Sequence, residues 1–210
     1  LTYTEVWEWL TGAKKPGREH KELLPHIENL HELFQLLLKN RQKRGAIDFE
    51  SVETRMLFDS HGKITRIEPV SRNDAHRLIE ECMLAANTCA ADFLLRQHIP
   101  GLFRVHEGPT PEKLQVLRGF MGEFGLQLGG GDEPKAKDYA ALLEKIKPRP
   151  DAQLLQTVML RSLKQAMYSP DNAGHFGLAY DHYTHFTSPI RRYPDLLVHR
   201  AIKAGLKKEK

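Results

Sequence analysis

No run of about eighteen apolar residues occurs in these 210 residues, so no membrane-crossing helix is expected and no membrane partner. Cysteine is almost missing: only Cys82 and Cys89 are present. On one helix they would stand roughly 10 Å apart along the axis, too far for a disulfide. No histidine lies beside them, which argues against a zinc site. They read as buried free thiols on an apolar stripe, as suits a reducing cytoplasm. The triplet Gly129-Gly130-Gly131 lacks a following Lys-Ser/Thr, so it reads as a plain loop and not a nucleotide-phosphate loop. Internal repeats and low-complexity tracts are absent. No linker poor in apolar residues divides the chain, which fits one domain or one and a half.

What is present is ordinary for a soluble globular segment: 40% hydrophobic and 28% charged residues. The net charge of +4, with eleven histidines, is compatible with a nucleic-acid partner but does not require one.

Periodicity predicts mostly helices. A short one covers Thr4 to Leu10. Another starts at Pro25, with Ile27, Leu30, Phe34 and Leu37 on one side, and stops at a basic turn and Gly45. A β unit follows: Ile47 and Phe49 alternate with Asp48, then Val52, Thr54, Met56 and Phe58 alternate with charged residues. Asp59-Ser60-His61-Gly62 reads as its turn and Ile64 to Pro69 as the return, with a bulge or a frayed edge because Ile64 and Ile67 are out of phase. Ser71-Arg72-Asn73-Asp74 resembles a capping box opening the longest helix, whose expected buried stripe is Ala75, Leu78, Ile79, Cys82, Ala86, Cys89 and Phe93. Leu102 to His106 reads as a short strand. Thr110-Pro111 opens a helix ending at Gly125. Lys135 to Ile146 is a further helix, and Asp151 is expected to cap one that carries Leu155, Val158, Leu163 and Met167.

The densest chemistry lies between His175 and His199, HFGLAYDHYTHFTSPIRRYPDLLVH. Tyr183, His185 and Thr187 alternate with Thr184, Phe186 and Ser188, which suits an extended strand. After Pro194, Leu196, Leu197, Ile202 and Leu206 recur at helical spacing. Arg191 and Arg192 would then sit where a strand hands over to a helix, and a helix N-terminus there adds N–H groups to two guanidiniums. Such a corner suits a phosphate. Arg191 could equally form a structural salt bridge to Asp195 at helical spacing. His175, His182, His185 and His199 show no compact ligand spacing and are expected to orient the loop by hydrogen bonds.

This run resembles the signature of the RNase II/RNase R (RNB) exoribonuclease family. The matching residues are His175-Phe176-Gly177-Leu178, Tyr183, Phe186 through Tyr193, Asp195 and His199. The stretches Arg72 to Asn87, Leu102 to Pro109 and Arg44 to Ser51 also resemble its bacterial members, so the likeness covers essentially the whole chain. It implies an α/β, helix-dominated fold: residues 1–210 would be the central to C-terminal part of an incomplete RNB-type catalytic domain, with a small, mainly antiparallel sheet flanked by helices. The implied activity is processive 3′→5′ hydrolysis of single-stranded RNA to nucleoside 5′-monophosphates in the cytoplasm.

The resemblance also assigns roles. Arg191 would stabilise charge at the scissile phosphate, and Arg192 would be a phosphate or structural contact. Thr187 and Ser188 would border the substrate. Phe49 would be one jaw of an aromatic clamp on the 3′-terminal base, against a plain core reading. Glu81 would hydrogen-bond a ribose and favour RNA over DNA, against a plain solvated-helix reading. Family chemistry uses Mg²⁺ on clustered aspartates. No such cluster is found in this sequence, so Mg²⁺ ligands are not expected within the chain, and the 210 residues alone are expected to be inactive. The rival reading is a non-catalytic RNA-binding or protein-docking module that keeps the fold, with ribosome-rescue or RNA-decay factors as partners.

Overall fold

The computed structural model describes residues 1–49, 54–69 and 72–207. The expectations for Val52 and Ser71 lie outside these residues. Two compact units share the chain: Leu1–Leu38 with Glu50–Cys82, and Lys39–Phe49 with Met83–Lys210. Two of the boundaries fall inside helices, which is why no linker is legible in the sequence.

In the first unit, α1 (Tyr3–Leu10) opens on a capping box in which Thr2 and Glu5 satisfy each other's free donors. Helix α2 (Leu24–Arg44) places Phe34 in full burial, and Arg77 lies over its ring at 5.8 Å. Strands β1 (Thr54–Phe58) and β2 (Ile64–Pro69) form an antiparallel hairpin. The expected bulge is there, because the register slips between Leu57 and Phe58. Helix α3 (Asp74–Arg96) is capped by Asn73, whose Oδ1 accepts from the N–H of Ala75 at 3.1 Å.

In the second unit, α2 ends at Gly45, whose φ of +78° is open to glycine at no steric cost. A Cβ there would also stand 2.6 Å from Lys137 Cβ. Strand β3 (Phe103–Val105) leads to α4 (Pro111–Glu123), where Thr110 caps and Pro111 takes the first turn. Helices α5 (Ala136–Ile146) and α6 (Ala152–Ser162) complete an apolar core of Leu117, Met121, Tyr139, Leu143, Ile146 and Met159. Each buries a large side chain almost completely, a burial that stabilises by about 1.5–3 kcal/mol per side chain. Strand β4 (Met167–Ser169) pairs antiparallel with β3, and α7 (Tyr193–Lys207) packs Val198 on Ala90 and Leu94.

Several expectations are corrected. The helix α6 stops at Ser162, Leu163 is already extended, and Met167 lies in β4. Asp151 makes no side-chain cap, because Arg149 holds both its oxygens at 2.8 Å. Its carboxyl is accordingly held below the usual range. On α3 the buried positions include Glu81 and Asn87, whereas Ile79 and Cys89 are exposed and Cys82 is half-buried. The thiols are therefore not core residues. Residues 183–187 form no strand.

Candidate functional site

The run from Tyr183 to Asp195 is held by two buried polar side chains. From α3, Asn87 (3% exposed) accepts at Oδ1 from the N–H groups of Phe186, at 2.9 Å, and Thr187, at 3.2 Å. Its Nδ2 donates to the Tyr183 hydroxyl at 2.8 Å. From the first turn of α7, Asp195 (0% exposed) accepts from the Ser188 N–H at 2.8 Å. Three successive backbone donors are thus spent on side chains, which is why the alternating pattern builds no ladder.

Asp195 also takes both ends of the Arg192 guanidinium, at 2.9 and 2.7 Å. This is a bidentate pair with one partner fully buried. Its charge is neutralised inside the protein, so Arg192 is built as a structural contact. Arg191 differs. Its N–H reaches the Ser188 carbonyl at 3.3 Å, closing a turn with Pro189 at the second position. Its side chain is exposed and donates to Ser188 Oγ at 3.5 Å. Among the described residues no carboxylate pairs with it. The structural salt bridge to Asp195 is made by Arg192 instead, because Arg191 lies in the turn before the helix and helical spacing does not reach it.

Thr187 completes the corner. Its Oγ1 is buried without a hydrogen-bond partner. Three of the four histidines make hydrogen bonds that orient the loop, while His182 only approaches Asp92, at 3.8 Å. His199 donates to the Phe186 carbonyl at 2.9 Å and stacks on that ring at 4.1 Å. His175 accepts the Leu178 N–H at 3.2 Å, and burial, helped by His106, pushes its pKa down to about 4. His185 meets the Tyr168 hydroxyl at 2.7 Å, and burial and the Arg192 charge lower it to about 4 as well. Both rings are neutral near pH 7.

Of the other sequence-predicted residues, Phe49 is half-buried and packs against the core of α4, α5 and α6. Its segment is fixed by the Ile47 N–H, which donates to the Gly177 carbonyl at 2.8 Å. Glu81 belongs to the first unit and is 5% exposed, not solvated as the plain reading had it. Burial, and then the Glu81 charge, raises the neighbouring Cys82 thiol. Thr187, Ser188, Arg191 and Arg192 are brought together at one corner.

Sequence reasoning missed Asn87 as an anchor. Its only signal is a polar residue in an otherwise apolar helix segment. A cleft of about 1640 Å³ in the second unit is lined by Arg44, Arg118, His106, His175 and Tyr180, among others. Neither Arg191 nor Ser188 lines it. Among the described residues, no group of three or more His, Cys, Asp or Glu side chains is placed to hold a metal ion. The described residues therefore offer no ready seat for a divalent cation.

Comparison with known proteins adds a lineage to this geometry. The RNB domain profile matches residues 1–208. Ribonuclease R of Vibrio cholerae is 54% identical over all of this chain, and that of Escherichia coli is 52% identical; the match covers 26% of each. The chain thus spans about a quarter of the length of the curated relatives it matches. The solved structure of Mycoplasma genitalium RNase R with ribose-methylated single-stranded RNA has a TM-score of 0.88 at 33% identity, over 96% of this chain and 32% of that one. Yeast Ssd1, described as a pseudonuclease, has a TM-score of 0.70 at 19% identity, over all of this chain and 26% of that one. This last likeness concerns the fold alone.

Proposed function

Because the chain belongs to the RNB domain family, we propose that it is the Arg191-bearing part of a 3′→5′ exoribonuclease. The substrate is single-stranded RNA and the product is nucleoside 5′-monophosphate. One observation carries this reading: two adjacent arginines share a corner, and only one of them is neutralised. Arg192 is bound by a buried carboxylate, which leaves Arg191 exposed on a turn pinned from both sides.

A guanidinium so placed grips two phosphate oxygens in its planar fork and keeps its charge at any working pH. Negative charge accumulates on the phosphoryl oxygens as the bond is cut, and a preorganised cation there lowers the barrier. The Ser188 hydroxyl, 3.5 Å from the Arg191 fork, limits where that fork can swing. Thr187 is held beside Ser188 by Asn87, with its Oγ1 buried. In this reading Phe49 is an aromatic that stacks on a base, and Glu81 is a carboxylate that accepts from a ribose hydroxyl. Mg²⁺ belongs to this reading as a requirement of the whole protein, and no step above depends on it. The reading places the protein in the cytoplasm.

A second reading is a non-catalytic RNA-binding or protein-docking module, for which ribosome-rescue or RNA-decay factors are the partners. An exposed guanidinium on a pinned turn serves binding as well as it serves catalysis, and that observation favours it. Full-length protein incubated with 5′-labelled oligoadenylate separates the two. Stepwise shortening from the 3′ end with release of AMP supports the enzyme. Tight binding of an intact strand, at every divalent-ion concentration tried, supports the docking module.

A further inference from the structure

Strands β3 and β4 carry a cross-strand pair that the proposed reaction does not use. Arg104 faces Tyr168 in register, and its guanidinium lies 4.7 Å from the centre of the tyrosine ring. The Tyr168 hydroxyl meets His185 Nδ1 at 2.7 Å, and the two rings stand edge to face. His185 lies two residues before Thr187 on the pinned loop, so this pair is tied to the corner that bears Arg191. A three-residue strand needs no such cluster to pair. Tyr168 nevertheless keeps 36% of its surface open.

The charge around the cluster is one-sided. The charged groups that act on His185 are Arg192, Asp195, Arg104 and Arg191. Asp195 is consumed by Arg192, and His185 is neutral near pH 7, so among the described residues no carboxylate pairs with Arg104 or Arg191. A partly exposed aromatic ring beside one cation, with a second cation acting on the same histidine, is a combination suited to one nucleotide of a single strand. The ring takes the base and the guanidinium takes the phosphate.

We propose that Arg104 and Tyr168 form a nucleotide-binding subsite, oriented by His185, for single-stranded RNA passing the Arg191 corner. The inference rests on the reading of the protein as an RNA-binding exoribonuclease. The subsite is indifferent to base identity, since every base offers a π-face. Its phosphate contact is electrostatic and therefore salt-dependent.

The test uses full-length protein and a fluorescent, ribose-methylated oligoadenylate, with affinity measured across a salt series. Arg104→Gln is expected to lower the slope of log affinity against log salt by about one contact, and Arg104→Lys to preserve it. Tyr168→Ala is expected to weaken binding about fivefold or more, while Tyr168→Phe, which keeps the ring, binds as wild type. A structural pair alone would shift thermal unfolding without changing the salt slope. A wild-type slope for Arg104→Gln, or affinity within twofold of wild type for Tyr168→Ala, overturns the subsite. Failure of the wild-type protein to bind the oligonucleotide overturns the underlying RNA reading instead.

Discussion

Two regions of the second unit are held together by opposite means. The core of α4, α5 and α6 is apolar: Leu117, Met121, Leu143 and Ile146 are buried and make their contacts with one another. The corner from Tyr183 to Asp195 has few such contacts and depends on Asn87, Asp195 and a set of stacked rings. Apolar packing tolerates small shifts, because its energy is spread over many weak contacts. Hydrogen bonds to a buried carboxylate are directional and costly to leave unmade. The comparison teaches that the core supplies stability and the corner supplies position. A guanidinium meant to meet a phosphate at fixed geometry belongs in the second kind of region.

The sharpest way to break this division is Asp195→Ala. It leaves the Arg192 guanidinium without its partner and the Ser188 N–H without its acceptor. A loss of about 3–5 kcal/mol is expected, read by denaturant unfolding of the full-length protein. Leu143→Ala in the apolar core is expected to cost about 2–5 kcal/mol while kcat on the folded fraction stays as in wild type. A fall in kcat there would erase the distinction between the regions.

Acid provides a milder probe of the segment that leads into the corner, where His175 stands edge-on to Tyr183. His175 has a folded pKa of about 4 against an unfolded value near 6.5, so folding favours its neutral form. Its contribution is complete above pH 6.5, declines as pH falls from 6.5 to 4, and is gone below 4. Thermal unfolding across that window is expected to show a loss of about 3 kcal/mol at most from this group. His175→Gln is expected to remove this part of the loss and to leave the part that His185, lowered to about 4 as well, contributes over the same window. The smallest effect expected is at Glu81. Glu81→Ala should lower the ratio of RNA to DNA affinity by a few-fold, and an unchanged ratio removes Glu81 from sugar recognition.

Helices were legible wherever caps and apolar spacing agreed. Thr110-Pro111 and the stripe after it located α4, and the slipped phase of Ile64 and Ile67 located the bulge in the hairpin. The face of α3 was not legible, because its inward positions include Glu81 and Asn87, and a count of apolar residues passes over buried polar ones. The missing strand at 183–187 has a related cause: alternation reports which faces differ, not whether backbone donors are free for a ladder. The pairing of Asp195 with Arg192 was hidden because helical spacing was extended into a turn. Thr187, Ser188, Arg191 and Arg192 were grouped correctly by the signature run, since they lie within six consecutive residues. The anchor Asn87, about a hundred residues upstream, leaves no such trace.

The steady-state kinetics of Arg191→Ala in the full-length protein, on a single-stranded oligoadenylate, test the central claim most directly. The account predicts a loss of about 10²–10³-fold in kcat with little change in the affinity for RNA, because the guanidinium acts on charge that appears as the bond is cut. A kcat equal to wild type, with the whole loss in KM, would contradict it.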